Sequence, residues 1–164
     1  MQAYFSWSVG ITAAQVSAWP AGAVNIAVSG ESSAGNPISI THPVTVDLTP
    51  AAITINTIAT DDVINAAEKG ANLTLSGTTT NVEAGQTVTV TFGGKNYTAS
   101  VAGDGTWSLG VPAANVGNWP AGTVNITVSG ATSAGNPVTI THPVTVDLAA
   151  VAIYISTVSG DDVI

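Results

Sequence analysis

The chain has 164 residues, of which 45% are hydrophobic and only 7% are charged, and its formal net charge is −8. Its two basic residues, Lys69 and Lys95, are too few to neutralise phosphates, which excludes nucleic acid and anionic membrane surfaces as partners. No apolar run approaches the roughly 20 residues that cross a bilayer, so we expect no direct membrane insertion. The absence of cysteine excludes disulfides and thiolate metal sites.

An internal repeat with a period of 100 residues sets the organisation of the chain. Shifted by this period, the segment Trp7–Ile64 matches Trp107–Ile164 at 38 of 58 positions. A period of this length corresponds to one whole β-sandwich rather than to one coil of a solenoid. We therefore predict the C-terminal half of a repeat at 1–47, a complete repeat at 48–147, and the first strand of a further repeat at 148–164.

Alternating apolar residues in the complete repeat predict seven short strands. Gly93-Gly94-Lys95 predicts a tight hairpin between the third and the fourth. Pro143 has no amide hydrogen, so we expect the seventh strand to be an edge strand or bulged there. Seven strands in about 100 residues predict an all-β, seven-stranded immunoglobulin-like β-sandwich, repeated in tandem. The residues that mark the strands are Ile53 and Ile55, then Leu73 and Leu75, then Val88, Val90 and Phe92, then Tyr97, Ala99 and Val101, then Trp107, Leu109 and Val111, then Val124, Ile126 and Val128, then Val138, Ile140, Val144 and Val146.

The acidic residues fall in the predicted loops at the two ends of this sandwich, and almost none lies on a strand face. Carboxylates and loop carbonyls are the ligands that Ca²⁺ prefers, and a bound ion would relieve the repulsion among the acids. We therefore predict structural Ca²⁺ at the junctions between repeats. The competing interpretation is that Asp favours turns for conformational reasons, which suits Asp104 in Gly-Asp-Gly. The candidate ligands are Asp47, Asp61, Asp62, Glu68, Glu83, Asp104 and Asp147.

Other residues that could carry chemistry favour structural roles. His42 and His142 occupy the same position in the repeat, and strand parity separates His142 from Asp147, which argues against a base with its orienting acid. Trp19 and Trp119, in Trp-Pro-Ala-Gly loops, could stack on sugars, but anchoring the loop on the core is the favoured role. No nucleophile-elbow motif occurs. We therefore predict that the protein is not an enzyme.

Several motifs, taken together, resemble those of a known family. The segments Ile53–Glu68, Leu75–Thr79, Gly85–Val90 and Val144–Asp147 are similar to the bacterial Ig-like repeats of giant biofilm adhesins, which Gram-negative bacteria export through type 1 secretion. The resemblance covers essentially the whole chain. It implies an extracellular, surface-tethered rod of many such domains, often rigidified by Ca²⁺ at the linkers.

The resemblance also implies roles for particular acids. It assigns ligand roles to Asp47 and Asp147 at strand ends, and to Asp61 and Asp62 in the following loop. One departure concerns the second linker, which lacks the Thr and Pro of Asp47-Leu48-Thr49-Pro50. We expect that linker to be the more flexible of the two.

The leading prediction is a non-enzymatic structural and adhesive segment of a bacterial surface adhesin, a Ca²⁺-stiffened spacer in cell adhesion or biofilm formation. Its partners would be neighbouring Ig-like repeats, other copies of itself and an unidentified surface or cell receptor. A second hypothesis is a self-assembling extracellular fibre subunit, whose partial end domains are completed by strands of neighbouring chains. A third hypothesis, a carbohydrate-binding module, requires the Trp-Pro-Ala-Gly loops to be exposed.

Overall fold

The computed structural model describes residues 6–156, and the chain divides into two compact units, 1–49 and 50–164. The predicted opening strand at 148–164 falls partly outside the described residues. Its described part, 148–156, forms no strand. The three-part division of the chain therefore stays a prediction.

Unit 1, residues 1–49, contains one helical turn followed by a β-hairpin. The helix begins after Thr12, whose side chain accepts a hydrogen bond from the Gln15 amide, while the Gln15 side chain accepts one from the Thr12 amide. The two strands pair antiparallel along all ten positions of each. The elements are α1 Ala13–Ser17, β1 Gly22–Glu31 and β2 Pro37–Val46.

Unit 2 is a sandwich of two sheets, so the predicted all-β fold is confirmed. One sheet has the strand order β4-β10-β9-β6-β7 and the other the order β3-β5-β8. No helix in the described part of the chain is long and apolar enough to cross a membrane. The elements are β3 Ala52–Ile53, β4 Val63–Ile64, α2 Ala66–Lys69, β5 Leu73–Thr80, β6 Thr87–Phe92, β7 Lys95–Ser100, β8 Thr106–Val111, α3 Ala113–Val116, β9 Gly122–Ala131 and β10 Pro137–Val146.

The predicted first strand is divided between the two sheets. β3 pairs antiparallel with β5, and the chain then crosses to the other sheet, where β4 pairs parallel with β10. In the crossing segment, Ala59, Thr60 and Asp62 have φ values of 53°, 72° and 60°. Non-glycine residues rarely adopt this left-handed conformation. Alternation of apolar residues predicts a strand but not such a change of sheet, so the seven predicted strands become eight.

β10 is an edge strand over most of its length, as the proline in it predicts. β4 pairs only with Thr145 and Val146, and no other strand among the described residues pairs with that side of β10. The Thr145 amide points away from β9, because it donates to the Asp62 carbonyl in the crossing segment. Pro143 lies two residues earlier, so its position also faces away from β9 and costs no ladder hydrogen bond.

The core of unit 2 lies between the sheets and is closed by a close approach at Gly77. The Trp107 indole Nε1 donates to the Thr54 carbonyl at 3.2 Å, and a side chain at Gly77 would collide with that same carbonyl. Glycine is therefore required where the segment after β3 runs alongside β5. The most deeply buried large side chains are those of Trp107, Ile58, Ile64, Leu75, Ile126, Val88, Val90, Val111, Val116, Val128 and Val144.

Candidate functional site

The pairing of β4 with β10 brings two of the predicted ligands, Asp62 and Asp147, onto adjoining segments at one end of the sandwich. The Thr145 amide donates to the Asp62 carbonyl at 2.9 Å, and the Asp147 amide donates to the Ile64 carbonyl at 3.0 Å. Both hydrogen bonds connect the two strands of the parallel ladder. The backbone thus joins residues that lie far apart in the sequence.

The side chains of Asp61 and Asp147 each close a turn in their own segment. Asp61 Oδ1 accepts a hydrogen bond from the Val63 amide at 3.0 Å. Asp147 Oδ1 accepts one from the Ala149 amide at 2.9 Å. A carboxylate that binds the backbone two residues on is a common reason for Asp in a loop. The turn-forming role, which was the competing interpretation of the acids, is present at both positions.

Asp62 is bound both to the backbone and to a histidine. Its Oδ1 accepts from the Ile58 amide at 2.8 Å and lies 2.8 Å from His142 Nε2. Partial burial raises the pKa of the Asp62 carboxyl, but the hydrogen bonds from Ile58 and His142 outweigh it and hold that pKa below its ordinary value. The side chains of His142 and Asp62 are 24% and 33% exposed, so both meet solvent. The pair links β10 to the segment that precedes β4.

The His142–Asp62 pair was missed by the sequence analysis, which compared His142 with Asp147, its neighbour along the strand. The true partner is 80 residues away and is brought near by the parallel pairing of β4 with β10. One signal was present in the sequence. Strand parity placed His142 on the apolar side of β10, where an imidazole requires a polar partner.

Glu68 takes part in a helix cap. Its Oε2 accepts from the Asn65 amide at 3.1 Å, while Asn65 Oδ1 accepts from the amides of Ala67 and Glu68 at 2.9 and 3.1 Å. This reciprocal capping box satisfies amides at the start of α2 that have no partner within the helix. The carboxylate therefore has a structural role in unit 2.

Glu83 and Asp104 lie at the other end of the sandwich, and each holds a turn. Glu83 accepts from the Ser133 amide at 2.7 Å and from the Ser133 hydroxyl at 2.9 Å, which ties the loop before β6 to the turn between β9 and β10. Asp104 Oδ1 accepts from the Thr106 hydroxyl at 2.7 Å and from the Thr106 amide at 3.0 Å. The hydroxyl and then the amide of Thr106 hold the pKa of Asp104 below its ordinary value.

Asp47 of unit 1 repeats the turn found at Asp147. Its Oδ1 accepts from the Thr49 amide at 2.9 Å. The Thr49 side chain and then the Thr49 amide hold the pKa of Asp47 below its ordinary value. The linker turn thus forms in both copies, although the residue that donates differs.

The predicted Ca²⁺ ligands are spread over several separate turns. Ca²⁺ takes roughly six to eight oxygen ligands. Within residues 6–156, no three Asp, Glu or His side chains come close enough together to hold a metal ion. The carboxylate and carbonyl chemistry suits Ca²⁺, but the described side chains do not form a complete site. Backbone carbonyls and water would have to supply most of the ligands.

The Trp-Pro-Ala-Gly loop of the complete repeat is anchored in the core. Trp119 is 2% exposed and packs edge-on against Phe92, with ring centroids 5.2 Å apart. Tyr97 stacks on Phe92 at 4.4 Å. The predicted anchoring role is confirmed for Trp119. The carbohydrate-binding hypothesis, which needs this ring to be exposed, fails there.

Comparison with known proteins relates this chain to adhesins. No protein-family model and no curated protein matches the sequence. Among solved structures, a 1.5-MDa bacterial ice-binding adhesin is 34% identical with a TM-score of 0.51, over 87% of this chain and 47% of the other. A Ca²⁺-stabilised adhesin that helps an Antarctic bacterium reach out and bind ice is 32% identical with a TM-score of 0.51, over 86% and 36%. The chain spans less than half the length of either structure.

A third solved structure corresponds to a single domain. It is a bacterial immunoglobulin-like domain from the M. primoryensis ice-binding adhesin, 35% identical over 60% of this chain and 99% of that domain, with a TM-score of 0.47.

Proposed function

We propose that this chain, which belongs to the bacterial immunoglobulin-like repeats of large adhesins, serves outside the cell as a non-enzymatic spacer that transmits force between neighbouring repeats. In cell adhesion or biofilm formation, such a spacer holds a binding module away from the cell surface. The tandem repeat in the sequence supports this role. The observation that carries it is the parallel pairing of β4 with β10.

A force that stretches the chain enters unit 2 through its N-terminal segment, which contains β3 and β4, and leaves through β10. Because β4 and β10 are parallel, the force pulls them in opposite directions along their axes. Their hydrogen bonds, from Thr145 to Asp62 and from Asp147 to Ile64, are then loaded together in shear. Both bonds must break at once, which resists force better than opening them one after the other. The His142–Asp62 bond reinforces the same connection.

Single-molecule pulling on the full chain tests the role of this pairing. We expect Thr145→Pro to lower the unfolding force of unit 2, because proline removes the amide that donates to Asp62. The matched control is Thr139→Pro on the same strand. Thr139 is six residues before Thr145, so its amide also points away from β9, but β4 does not pair with it. Equal unfolding forces for the two variants would contradict the proposal that the pairing of β4 with β10 resists the force.

We further propose that Ca²⁺ stiffens the segment. One relative is a Ca²⁺-stabilised adhesin, and a net charge of −8 favours a divalent counter-ion. Two of the linker turns already hold an aspartate by its Oδ1. The ligands proposed are the carboxylates of the loops and linkers, completed by backbone carbonyls. They are Asp47, Asp61, Asp62, Glu68, Glu83, Asp104 and Asp147.

Thermal melting and small-angle scattering in millimolar Ca²⁺, and then in excess chelator, test the calcium proposal. We expect a higher melting temperature and a larger maximum dimension with Ca²⁺, and a smaller effect with Mg²⁺, which demands stricter octahedral geometry. The double variant Asp61→Asn, Asp147→Asn should lose part of the increase. If neither quantity responds to Ca²⁺, the acids are turn formers and solubilising groups only.

A further inference from the structure

The outer face of the larger sheet in unit 2 carries no charged side chain on β6, β7, β9 or β10. The only residues of these strands that can be charged near neutral pH are Lys95 and His142. Lys95 shares strand parity with the buried Ala99, and His142 with the buried Val144, so both belong to the core side of their strands. The outer face of a soluble sheet usually includes Lys, Arg, Asp and Glu. A preference of threonine for strands explains why threonine is present but not why these residues are absent.

A first row of polar side chains crosses all four strands on this outer face. Asn96 lies opposite Thr91, Thr91 opposite Thr127, and Thr127 opposite Thr141. The Thr91 hydroxyl donates to Asn96 Oδ1 at 2.8 Å, and the hydroxyl oxygens of Thr127 and Thr141 are 3.2 Å apart. The row is therefore an ordered line of polar groups on strands that lie about 4.8 Å apart.

A second row lies two residues further along the strands and borders a groove. Thr98 lies opposite Thr89, Thr89 opposite Ser129, and Ser129 opposite Thr139. The pairing of β6 with β9 ends at this row. Next to it lies an open groove of about 380 Å³, whose walls include Thr89, Ser129, Thr139 and the side chain of Gln86. The two rows together are called the hydroxyl face.

The hydroxyl face and its groove are formed within one complete repeat. Their residues all lie in the range 85–141, in the interior of unit 2. The strands that carry them are paired side by side in the order β10-β9-β6-β7. Neither end of the sequence contributes to this surface.

The chemistry of the hydroxyl face selects a neutral ligand that is itself rich in hydroxyl groups. A threonine or serine hydroxyl both donates and accepts, and it rotates to suit its partner. An anionic polymer would meet no basic side chain here and would be repelled by the net charge of −8. An apolar ligand would remove water from the hydroxyls without replacing its hydrogen bonds. A neutral polysaccharide avoids both costs, because it carries hydroxyls and no charge.

We propose that the hydroxyl face binds a neutral polysaccharide, with one sugar unit in the groove beside Thr89, Ser129 and Thr139 and the polymer continuing along the rows. This surface is separate from the Trp-Pro-Ala-Gly loop, since Trp119 is buried and does not line the groove. The proposal goes beyond the spacer role, because it gives the repeat a ligand of its own.

Binding by a single repeat is weak, because each hydrogen bond to the sugar replaces one to water. The groove also contains no aromatic ring on which a sugar could stack. The repetition of the sequence compensates for this weakness. Ser29, Ser39 and Thr41 stand 100 residues before Ser-129, Thr-139 and Thr-141 of the hydroxyl face. Successive repeats therefore offer a long polymer several contacts at once, which raises the overall affinity.

Mapping of amide chemical shifts by NMR on the full chain tests the proposal. The probes are short neutral oligosaccharides of dextran, galactomannan and cellulose, and an oligosaccharide of the anionic polymer alginate. We expect at least one neutral probe to shift amides of residues 85–89, 129–131 and 137–139, and to leave those of β5 and β8 in the other sheet unchanged. Alginate should shift neither group.

The double variant Thr89→Val, Thr139→Val removes two hydroxyls from the groove and keeps the β-branched shape that suits a strand. We expect the dissociation constant of the neutral probe to rise about tenfold, because two hydrogen bonds are lost. The matched control is Thr74→Val, Thr80→Val, on the exposed outer face of β5 in the other sheet. It should bind like the parent, and melting curves of both double variants should show that unit 2 stays folded.

Three outcomes would overturn the proposal. One is the absence of shifts with all three neutral probes, which would leave the hydroxyls as strand formers on a solvated face. Another is an equal loss of affinity in the two double variants, which would mean that the hydroxyl face is not the site. The last is binding of alginate as tight as that of the neutral probes, which would contradict the selection by charge.

Discussion

The hairpins β1–β2 and β9–β10 have nearly the same sequence and the same register but opposite surroundings. Gly22 pairs with Val46 in the first, as Gly122 pairs with Val146 in the second. Yet Ile126 and Val128 are fully buried, while their counterparts in β1 are half-exposed. The comparison separates what a segment encodes by itself from what the rest of the repeat must supply. Pairing and register are local, whereas burial is not.

The turns of the two hairpins support this separation. The Gly35 amide donates to the Ser32 carbonyl at 2.9 Å, and the Gly135 amide donates to the Thr132 carbonyl at 2.9 Å. Both glycines have the positive φ that this turn requires, 80° and 91°. The Ser-Ala-Gly-Asn-Pro sequence therefore forms the same turn whether or not a second sheet packs beneath the strands.

The largest difference between the copies should appear at the tryptophans. Trp107 is 2% exposed and donates to the Thr54 carbonyl, whereas its counterpart Trp7 is 68% exposed. We expect Trp107→Ala to lower the free energy of unfolding of unit 2 by about 3–5 kcal/mol, because it empties a core site. Trp7→Ala should change it by less than about 0.5 kcal/mol. Urea denaturation, followed by hydrogen exchange of the amides in unit 2, measures both. Similar losses in the two variants would mean that burial does not distinguish the copies.

Gly130 of β9 and its counterpart Gly30 of β1 give the next largest difference. Gly130→Ala places a Cβ at 3.2 Å from Ile53 Cδ1 and 3.4 Å from Val88 Cγ1, so at least one neighbour must shift. We expect a loss of about 1–3 kcal/mol in the stability of unit 2, as for other overpacked cores. Gly30→Ala meets only Ile38 at 3.9 Å and should leave the hairpin unchanged. Denaturation curves of the two single variants measure the change in stability. If Gly130→Ala leaves the stability of unit 2 unchanged, the core has room for a methyl group at this position.

The residues that sequence analysis placed correctly are those governed by local patterns. Alternating apolar residues located the core faces of β9 and β10, and Pro143 located an unpaired edge. In contrast, the parallel ladder of β4 with β10 joins segments 82 residues apart, as Val63 lies opposite Thr145. Composition and alternation carry no information about such a pairing.

In the candidate site, too, only the local contacts were predictable from the sequence. The sequence correctly indicated that aspartates such as Asp104 suit turns, because that preference is local. The partner of His142 was not predictable, because Asp62 reaches it only after the chain changes sheets. The convergence of ligands on a metal ion depends in the same way on several distant loops. The calcium ligands therefore stay a prediction.

The histidine pair offers a smaller, pH-dependent difference. The folded-state pKa of Asp62 lies below the ordinary value of 3.8, so its ionised form stabilises unit 2 at neutral pH. We expect Asp62→Asn to cost about 1 kcal/mol at pH 7, which is less than is usual for a hydrogen bond to a charged group because the pair is partly exposed. The stability that the carboxylate contributes is lost as pH falls below 3.8 and through its folded-state pKa, so the gap between variant and parent should close there. His42→Gln, at the exposed counterpart of His142, should match the parent at every pH.

The smallest difference should lie in the turn itself. Ser133 donates through its hydroxyl and its amide to Glu83, which belongs to the half of the repeat that has no counterpart in unit 1. Ser133→Ala removes the hydroxyl bond and keeps the amide bond. Because the site is exposed, we expect a loss of only about 0.5 kcal/mol in the stability of unit 2. Ser33→Ala, at the same place in the turn of unit 1, should cost nothing measurable. The double variant Ser133→Ala, Glu83→Ala checks the cause. If Ser133→Ala lowers the stability of unit 2 as much in the Glu83→Ala background as it does alone, the Ser133 hydroxyl does not act through Glu83, and this contact does not explain the difference between the two turns.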